Sequence, residues 1–168
     1  MSAAPRLAGL PPVADERARL LVLGSFPGAE SLRQQRYYAH PRNQFWPLLS
    51  RLLGCDLVAL DYGERLLALR ERGLALWDVH AECARQGSLD SAIRDARPND
   101  VVALARRLPQ LRGIAHNGGE SARSQRVTAA LGVPVWRLPS TSPAHARWSL
   151  ERKCEAWREA FLSCGVIR

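Results

Sequence analysis

Short apolar runs alternate along the chain with longer segments in which apolar residues recur every three or four positions. A short apolar run that is bounded by glycine, proline or charged residues is typical of a buried strand. The pattern predicts four such strands, at residues 20–24 (LLVLG), 74–79 (LALWDV), 112–117 (RGIAHN) and 133–139 (VPVWRLP).

Between these strands, the spacing of apolar residues predicts helices. Gly54 and Gly73 are expected to end two of them, because glycine readily adopts the left-handed conformation at a helix C-terminus. The last helix is expected to bury Trp148, Trp157 and Phe161. The predicted helices lie at residues 46–54, 61–73, 98–108, 118–132 and 146–165.

The alternation of strands and helices indicates an α/β protein. Parallel strands need crossover connections, and helical crossovers cover both faces of the sheet. We therefore predict a three-layer α/β/α fold around a central, mostly parallel four-stranded sheet. The chain has 168 residues and shows no repeat or interdomain linker, so residues 1–168 are expected to form a single domain. Residues 1–18 are expected to be a loosely ordered N-terminal segment.

Polar, glycine-rich or proline-rich segments follow the carboxyl ends of the four predicted strands. Open α/β sheets bind ligands at this edge, so we expect the functional site to be built from these segments. They are GSFPG (24–28), DVH (78–80), NGG (117–119) and LPSTSPAH (138–145).

Each of these segments also has a purely structural interpretation. The glycines of GSFPG allow close approach to a ligand, but they also suit an ordinary turn. Asn117 can read the polar edge of a ligand or cap a tight turn. The hydroxyl groups of LPSTSPAH can donate to a phosphate or cap the last helix. Asp78 can accept a hydrogen bond from a ligand N–H or pair with an arginine.

Charge and composition narrow the classes of function. The formal net charge is +8, and Lys153 is the only lysine among 24 basic residues. Arginine matches phosphate in a forked geometry, which favours a nucleic-acid partner. Replacement of lysine by arginine throughout a GC-rich genome would give the same composition. The sequence contains no dinucleotide fingerprint, phosphate loop or serine-hydrolase elbow.

Cysteine and histidine spacing disfavours a metal site. Cys55, Cys83, Cys154 and Cys164 form no CxxC pair, and the four histidines are widely spaced. We therefore expect no metal and no cofactor. No apolar run reaches the ~20 residues of a membrane helix, and the N-terminus lacks the pattern of a signal peptide. We expect a cytoplasmic protein without a membrane partner.

The segment YYAHPRNQFW (37–46) is too polar for a buried strand and too aromatic for an ordinary solvated loop. Together with LVLGSFPGAESL, ALWDV, GSLDSAIRD, HNGG and LPSTSPAHA, it resembles the uracil-DNA glycosylase superfamily. The resemblance is to its hypoxanthine-DNA (deoxyinosine) glycosylase branch. The motifs occur in the expected order and extend over residues 21–157.

The resemblance implies a DNA repair enzyme that flips a deaminated base out of double-stranded DNA and hydrolyses its N-glycosidic bond. The implied base is hypoxanthine, from deoxyinosine. The catalytic role falls on Asn43, whose amide carbonyl can orient a water molecule. The alternatives are activity mainly on uracil or xanthine, or a non-catalytic DNA-binding domain.

The resemblance also implies roles for the segments around the strand ends. Phe45 is the first choice for an aromatic platform under the base, with Phe26 next, while Tyr37, Tyr38 and Trp46 are assigned to packing. The expected substrate-binding residues are Gly24, Ser25, Phe26, Pro27, Gly28, His40, Phe45, Asp78 and Asn117. The expected DNA-binding residues are Arg42, Ser140, Thr141, Ser142, Pro143 and His145. Asp78 stands where uracil-specific relatives carry an asparagine, and its carboxylate can accept the N1–H of hypoxanthine.

The chain departs from the family pattern in two informative places. Relatives specialised for uracil often have an acid in the GSFPG segment and a histidine near the position of Leu138, so strong uracil activity is not expected. Lys153 is expected in the last helix, away from the loops, which disfavours a lyase step through a lysine Schiff base. We therefore expect a monofunctional glycosylase that acts as a monomer, in a bacterial cytoplasm and at the nucleoid during repair.

Overall fold

The computed structural model describes residues 4–168. The strands are β1 (Arg6–Ala8), β2 (Leu20–Gly24), β3 (Leu74–Asp78), β4 (His80–Ala84), β5 (Arg94–Pro98), β6 (Gly113–Asn117) and β7 (Val135–Leu138). The helices are α1 (Ala29–Gln34), α2 (Phe45–Leu53), α3 (Tyr62–Glu71), α4 (Val101–Arg106), α5 (Gly119–Ala122), α6 (Gln125–Ala129) and α7 (Leu150–Ser163). A short 3-10 helix covers Asp90–Ala92.

The central sheet consists of four parallel strands in the order β3-β2-β6-β7. Successive side chains of a strand point to opposite faces of the sheet. In β2, Leu20 and Val22 contribute to the core on one face, and Leu21 and Leu23 contribute to the core on the other. Helices cover both faces, so the predicted three-layer α/β/α fold with a parallel four-stranded sheet is confirmed.

The two cores hold different helices against the sheet. On one face, α2 and α7 contact each other and bury Phe45, Trp157 and Phe161. On the other face, α4 contributes Val101 and Leu104. Full burial of a large apolar side chain contributes roughly 1.5–3 kcal/mol relative to leaving it exposed. These contacts fix the strand ends, and hence the loops that follow them.

A second, antiparallel sheet has the order β1-β4-β5 and is not predicted by the apolar pattern. β5 is exposed along its whole length, and β4 is mostly half-buried. Neither strand therefore shows the apolar alternation on which the strand prediction depends.

The N-terminal segment is part of this packing. β1 pairs with β4, Leu10 and Val13 are buried, and Val13 exchanges backbone hydrogen bonds of 2.9 and 2.8 Å with Leu76. The prediction of a loosely ordered segment over residues 1–18 is therefore wrong for residues 4–18. Its first three residues lie outside the described part of the chain.

Some helix boundaries also differ from the prediction. The predicted helix at residues 118–132 is divided into α5 and α6. Helix α7 begins only at Leu150, because the Ser149 hydroxyl caps it by accepting a hydrogen bond of 3.2 Å from the backbone N–H of Arg152. Trp148 consequently precedes the helix and is half-buried, with the Arg152 guanidinium 3.7 Å from its ring centroid. The placement of Trp148 on the buried face of this helix is wrong.

Candidate active site

A cleft of about 510 Å³ opens where the strands of the central sheet end, and its volume is typical of small-molecule sites. Nearly all the site residues predicted from the sequence line this cleft. They are Gly24, Ser25, Phe26, Pro27, Gly28, His40, Asn43, Asp78, Asn117, Ser140, Thr141, Ser142, Pro143 and His145. Arg42 and Phe45 are absent from the lining.

Asn43 is held in a turn immediately before α2. Its Oδ1 accepts a hydrogen bond of 2.9 Å from the backbone N–H of Phe45, and its own N–H donates to the carbonyl oxygen of His40 at 2.9 Å. The side chain therefore satisfies one of the free N–H groups at the start of the helix. A carbonyl oxygen has two lone pairs, so Oδ1 can accept a second hydrogen bond from a water molecule.

Asp78 lies at the end of β3, in register with Gly24 of β2, and is 4% exposed. A Cβ atom at position 24 would collide with Oδ1 of Asp78, so the glycine permits this close approach. Oδ2 of Asp78 is buried and has no hydrogen-bond partner. Burial and the nearby Asp90 raise the pKa of the Asp78 carboxyl to about 7, against the attraction of Arg85. A buried acceptor without a partner is well suited to a ligand donor.

The aromatic residues of the cleft differ from those predicted. Phe45 is fully buried, stacked under Tyr38 with ring centroids 3.9 Å apart and edge-on to Trp157 at 6.3 Å. The prediction that Phe45 offers its ring to the base is therefore wrong. Tyr38, which the sequence assigns to packing alone, lines the cleft together with Phe26. Its backbone has φ 55°, a left-handed conformation that is uncommon away from glycine.

Asn117 and Thr141 join the end of β6 to the serine-rich loop. Oδ1 of Asn117 accepts from the Thr141 backbone N–H at 3.0 Å, and Nδ2 donates to Thr141 Oγ1 at 3.0 Å and to the Tyr38 hydroxyl at 3.3 Å. The Asn117 amide is thus already used within the protein. Thr141 is 1% exposed. The buried Thr141 side chain therefore positions the loop, while its assignment as a DNA contact stays a prediction.

The two serines of this loop, Ser140 and Ser142, keep hydroxyl hydrogens that can be donated. Ser140 Oγ accepts from the Ser142 N–H at 3.1 Å, and Ser142 Oγ accepts from the Ala144 N–H at 3.2 Å. Because each hydroxyl acts as the acceptor in these bonds, its hydrogen can still be donated to a phosphate oxygen. Pro143 is half-buried and His145 is exposed in the same loop.

His40 and Arg42 belong to the loop before α2. Nδ1 of His40 accepts a hydrogen bond of 3.0 Å from the Arg42 N–H, which stabilises the turn. The Arg42 side chain is exposed and lies outside the cleft. Its position suits contact with a phosphate rather than with a base.

Lys153 is closer to the loops than the sequence suggests. It is fully buried, and its Nζ donates to Oε1 of Gln44 at 2.7 Å and to the carbonyl oxygen of His145 at 2.8 Å. Burial lowers its pKa. The prediction that it lies away from the loops is wrong, although Lys153 does not line the cleft.

One wall of the cleft is formed by residues for which the sequence predicts no role. Ser88 Oγ accepts from the Ala29 N–H at 2.8 Å, and Asp90 Oδ1 accepts from the Ser25 hydroxyl at 2.6 Å. Arg85 is 1% exposed and donates to the Pro27 carbonyl oxygen at 2.7 Å. The segment GSLDSAIRD contains Ser88 and Asp90 and forms part of the family resemblance, so it was the sequence signal that could have indicated this wall.

Metal-ligating side chains are not clustered in the described part of the chain. Over residues 4–168, no three or more His, Cys, Asp or Glu side chains are grouped so that they could hold a metal ion. The four cysteines are free thiols. None of the described helices has the length and apolar character needed to cross a membrane.

Comparison with known proteins identifies the family. Residues 11–161 match the model of the uracil DNA glycosylase superfamily. The chain is 39% identical over 153 residues to the hypoxanthine DNA glycosylase of Methanosarcina barkeri, covering 91% of this chain and 96% of that one. Identity to the hypoxanthine DNA glycosylase of Methanosarcina acetivorans is 38%, with the same coverage.

The fold comparison agrees with this assignment. The solution NMR structure of a candidate uracil DNA glycosylase from Methanosarcina acetivorans superposes with a TM-score of 0.82 at 34% sequence identity. The match covers 93% of this chain and 99% of that chain. Fold, motif order and sequence identity over almost the whole length thus agree, and the resemblance inferred from the motifs is confirmed. The chain belongs to the uracil DNA glycosylase superfamily.

Proposed function

We propose that this protein removes hypoxanthine from deoxyinosine in double-stranded DNA by hydrolysing the N-glycosidic bond, leaving an abasic site. Two relatives that match nearly the whole chain are named hypoxanthine DNA glycosylases. The structural observation that carries the proposal is the shared cleft of Asn43 and Asp78, which also contains Phe26 and Tyr38. A polar amide, a buried carboxyl and aromatic rings are the groups needed to receive a flipped purine.

Asp78 supplies the group that reads the base. Hypoxanthine carries a hydrogen on N1, and Oδ2 of Asp78 is a buried acceptor without a partner. Adenine has no hydrogen at N1, so its N1 lone pair would face the carboxylate and be repelled. This difference favours the deaminated base over normal adenine, because a buried polar group left unpaired costs about 1–3 kcal/mol.

Phe26 and Tyr38 supply the stacking surface. Stacking of a base on an aromatic side chain contributes about 1–3 kcal/mol. Phe26 is 6% exposed and is braced from below by the Arg85 guanidinium, 5.2 Å from its ring centroid. Tyr38 is braced by the buried ring of Phe45. Rigid aromatic groups of this kind lose little entropy when a base binds.

Asn43 positions the water for bond cleavage. The C1′–N9 bond breaks with its electron pair leaving on the base, and the water oxygen bonds to C1′. One water proton is released, and the departing base takes up a proton. The sugar passes through a state with positive charge, and the Oδ1 dipole of Asn43 stabilises both that charge and the attacking water. The fixed turn before α2 holds Oδ1 in place.

The DNA backbone contacts the rim of the cleft. Ser140, Ser142, Pro143 and His145 form one side of the rim, and Arg42 lies exposed nearby in the loop before α2. Hydroxyl and guanidinium donors bind phosphate without reading sequence. This arrangement agrees with an enzyme that searches duplex DNA for one altered base.

The position of Lys153 bears on whether a lyase step through a lysine follows removal of the base. We infer a monofunctional hydrolase, since this sole lysine does not line the cleft. We further infer a monomer that acts in the cytoplasm. The bacterial origin expected from the sequence remains a prediction, as the two relatives named above are archaeal.

The test is an excision assay on duplexes that carry one inosine, uracil or xanthine. Alkali cleaves abasic products, so wild-type protein is expected to give a cleaved strand from the inosine duplex. Uracil is included because its N3–H offers Asp78 a similar donor. Asn43→Ala is expected to lower the inosine rate by about 100-fold or more, the range for loss of a positioned transition-state contact.

Asn43→Ser separates catalysis from folding. Serine also accepts a hydrogen bond at the start of a helix, so this variant keeps the turn while it removes the amide. We expect Asn43→Ser to be nearly as stable as wild type and as inactive as Asn43→Ala. Restored activity in Asn43→Ser would show that Asn43 acts only on the fold. A wild-type protein that excises none of the three bases would favour the non-catalytic DNA-binding alternative.

A further inference from the structure

Arg85 is a buried cation whose charge is not explained by its hydrogen bonds. Its Nε donates to the Gly87 carbonyl oxygen at 2.8 Å, and its Nη2 donates to the Pro27 carbonyl oxygen at 2.7 Å. Nη1 is buried and has no hydrogen-bond partner within residues 4–168. A neutral amide could serve the same carbonyl oxygens, and burial of a charge is costly unless it is compensated. These two bonds alone therefore do not account for a guanidinium at this position.

The guanidinium lies behind an aromatic ring of the cleft. Its central carbon, Cζ, is over the ring of Phe26, 5.2 Å from the centroid. Phe26 lines the cleft, whereas Arg85 does not. Arg85 thus occupies one face of the ring and leaves the cleft side of the ring to the base. A base stacked on Phe26 would be separated from the positive charge by one aromatic ring.

The groups around Arg85 connect its charge to the residue proposed to read the base. Burial lowers the pKa of Arg85, and Cys83, Asp90 and Asp78 act in the opposite direction. A guanidinium keeps its proton in proteins, so Arg85 stays charged. Arg85 in turn lowers the pKa of Asp78, against burial and Asp90. The positive field of Arg85 therefore reaches the part of the cleft where Asp78 lies.

Cleavage of the N-glycosidic bond creates a need for positive charge at this place. The electron pair of the C1′–N9 bond leaves on the base, which becomes negatively charged. The Asp78 carboxylate repels this negative charge, and so does the electron-rich face of Phe26. A cation on the far face of Phe26 offsets both effects, because it attracts the departing base and draws electron density of the ring towards itself. An attraction that grows as the bond breaks lowers the barrier.

We infer that Arg85 stabilises the departing base, through the ring of Phe26, as negative charge forms on hypoxanthine. The inference rests on the proposed function. Arg85 forms no bond and gives up no proton in this step, and the base takes up its proton from water afterwards. Because Arg85 acts across Phe26 without touching the base, it is a positioning residue and not a catalytic one.

The experiment compares Arg85→Gln with wild type in single-turnover excision from two duplexes, with inosine or 8-azainosine opposite cytosine. Glutamine places Nε2 where arginine has Nε, so it keeps the donor to Gly87 and removes the charge. 8-Azahypoxanthine has nitrogen in place of C8–H and is more acidic, so it leaves more easily as an anion. We expect the hypoxanthine rate to fall by about 10-fold or more, and the 8-azahypoxanthine rate by less than about 3-fold.

The ratio of these two rates is the decisive quantity. A variant that is merely less well folded, or whose loops have shifted, should lose activity on both duplexes alike. Only loss of charge stabilisation should penalise the poorer leaving base more. Arg85→Lys keeps a positive charge and should therefore keep the wild-type ratio. If Arg85→Gln does not fold, Arg85→Met removes the same charge and is measured in its place.

Arg65 provides a matched control. Its guanidinium lies over the ring of Trp46, 5.3 Å from the centroid, and it donates to the carbonyl oxygens of Leu60 and Val58 at 3.1 and 3.0 Å. It does not line the cleft. Arg65→Gln thus removes a cation with the same kind of aromatic contact and hydrogen bonding. We expect this variant to keep the wild-type ratio of the two rates.

The pH dependence of excision gives a second measurement. Loss of the Arg85 charge should raise the pKa of Asp78 further, because Arg85 is the group that lowers it. The pH at which the hypoxanthine rate levels off should therefore move upward in Arg85→Gln and stay close to wild type in Arg85→Lys. A loss of packing alone would not produce this difference between the two variants.

Three results would overturn the inference: an unchanged rate ratio in Arg85→Gln, an equal change of the ratio in Arg65→Gln, or an unmoved pH profile in Arg85→Gln. Failure of the wild-type protein to excise hypoxanthine at all is a different outcome. It would reject the proposed function, and this inference with it.

Discussion

Nζ of Lys153 donates a hydrogen bond of 2.7 Å to Oε1 of Gln44, the residue that follows Asn43. The same ammonium group donates to the His145 carbonyl oxygen at 2.8 Å. A buried cation in the last helix therefore connects the turn that contains Asn43 to the serine-rich loop. These two segments are more than ninety positions apart in the sequence.

Lys153→Met should destabilise the fold and distort the cleft together. Methionine keeps most of the volume but leaves two acceptors without their donor, which costs about 1–3 kcal/mol. The free energy of unfolding, measured by urea denaturation, should fall by this amount, and hypoxanthine excision should slow. Arg158→Met removes a cation from the exposed side of the same helix and should change neither quantity. If Arg158→Met has the same effect as Lys153→Met, the connection through Gln44 has no special importance.

The rate of excision should depend on the ionisation of Asp78. Its pKa is raised to about 7, and the ionised carboxylate accepts the N1–H of hypoxanthine more strongly than the neutral carboxyl does. Single-turnover rates should therefore rise with pH up to about pH 7 and level off above it. Asp78→Asn, which has no titratable group, should be slower and lack this rise. If the wild-type rate instead falls as the pH increases through 7, the protonated form of Asp78 is the active one.

Thr141→Val should weaken the attachment of the serine-rich loop. Valine has the shape of threonine but cannot accept the hydrogen bond that Asn117 Nδ2 donates to Oγ1. We expect a loss of about 1–2 kcal/mol in the free energy of unfolding, measured by thermal or urea denaturation, and weaker binding to duplex DNA. Thr141→Ser keeps the hydroxyl and should remain close to wild type on both measurements. Weak DNA binding by a Thr141→Val protein that is as stable as wild type would instead indicate that Thr141 contacts DNA directly.

Phe45 and Phe26 should respond differently to truncation. Phe45→Ala removes a fully buried ring from the core and should lower the free energy of unfolding by about 3–5 kcal/mol. Phe26→Leu keeps apolar bulk but removes the ring that lines the cleft, so excision should slow by about 10-fold or more while stability changes little. Circular dichroism melting and excision rates measured on both variants distinguish the two roles. An active Phe26→Leu protein would leave Tyr38 as the sole stacking surface.

Local sequence patterns were sufficient to determine the main architecture. LLVLG is apolar at every position before its glycine, which is typical of a strand covered on both faces. Strand ends in a parallel sheet share one edge, so Gly24, Asp78 and Asn117 were expected together before any distance was known. These features depend on near neighbours in the chain, and the motifs around them identified the family.

Only the tertiary structure decided which side chains line the cleft. Tyr38 and Phe45 both occur in one aromatic segment, yet packing against α7 buries Phe45 and leaves Tyr38 at the cleft. Thr141 lies in a polar loop but is buried by Asn117, a partner 24 positions away. The strands β4 and β5 have no apolar alternation, because β5 is exposed and β4 is mostly half-buried in the folded protein. Such contacts join residues that are distant in sequence, so they depend on how the elements pack and leave no periodic signal in the chain.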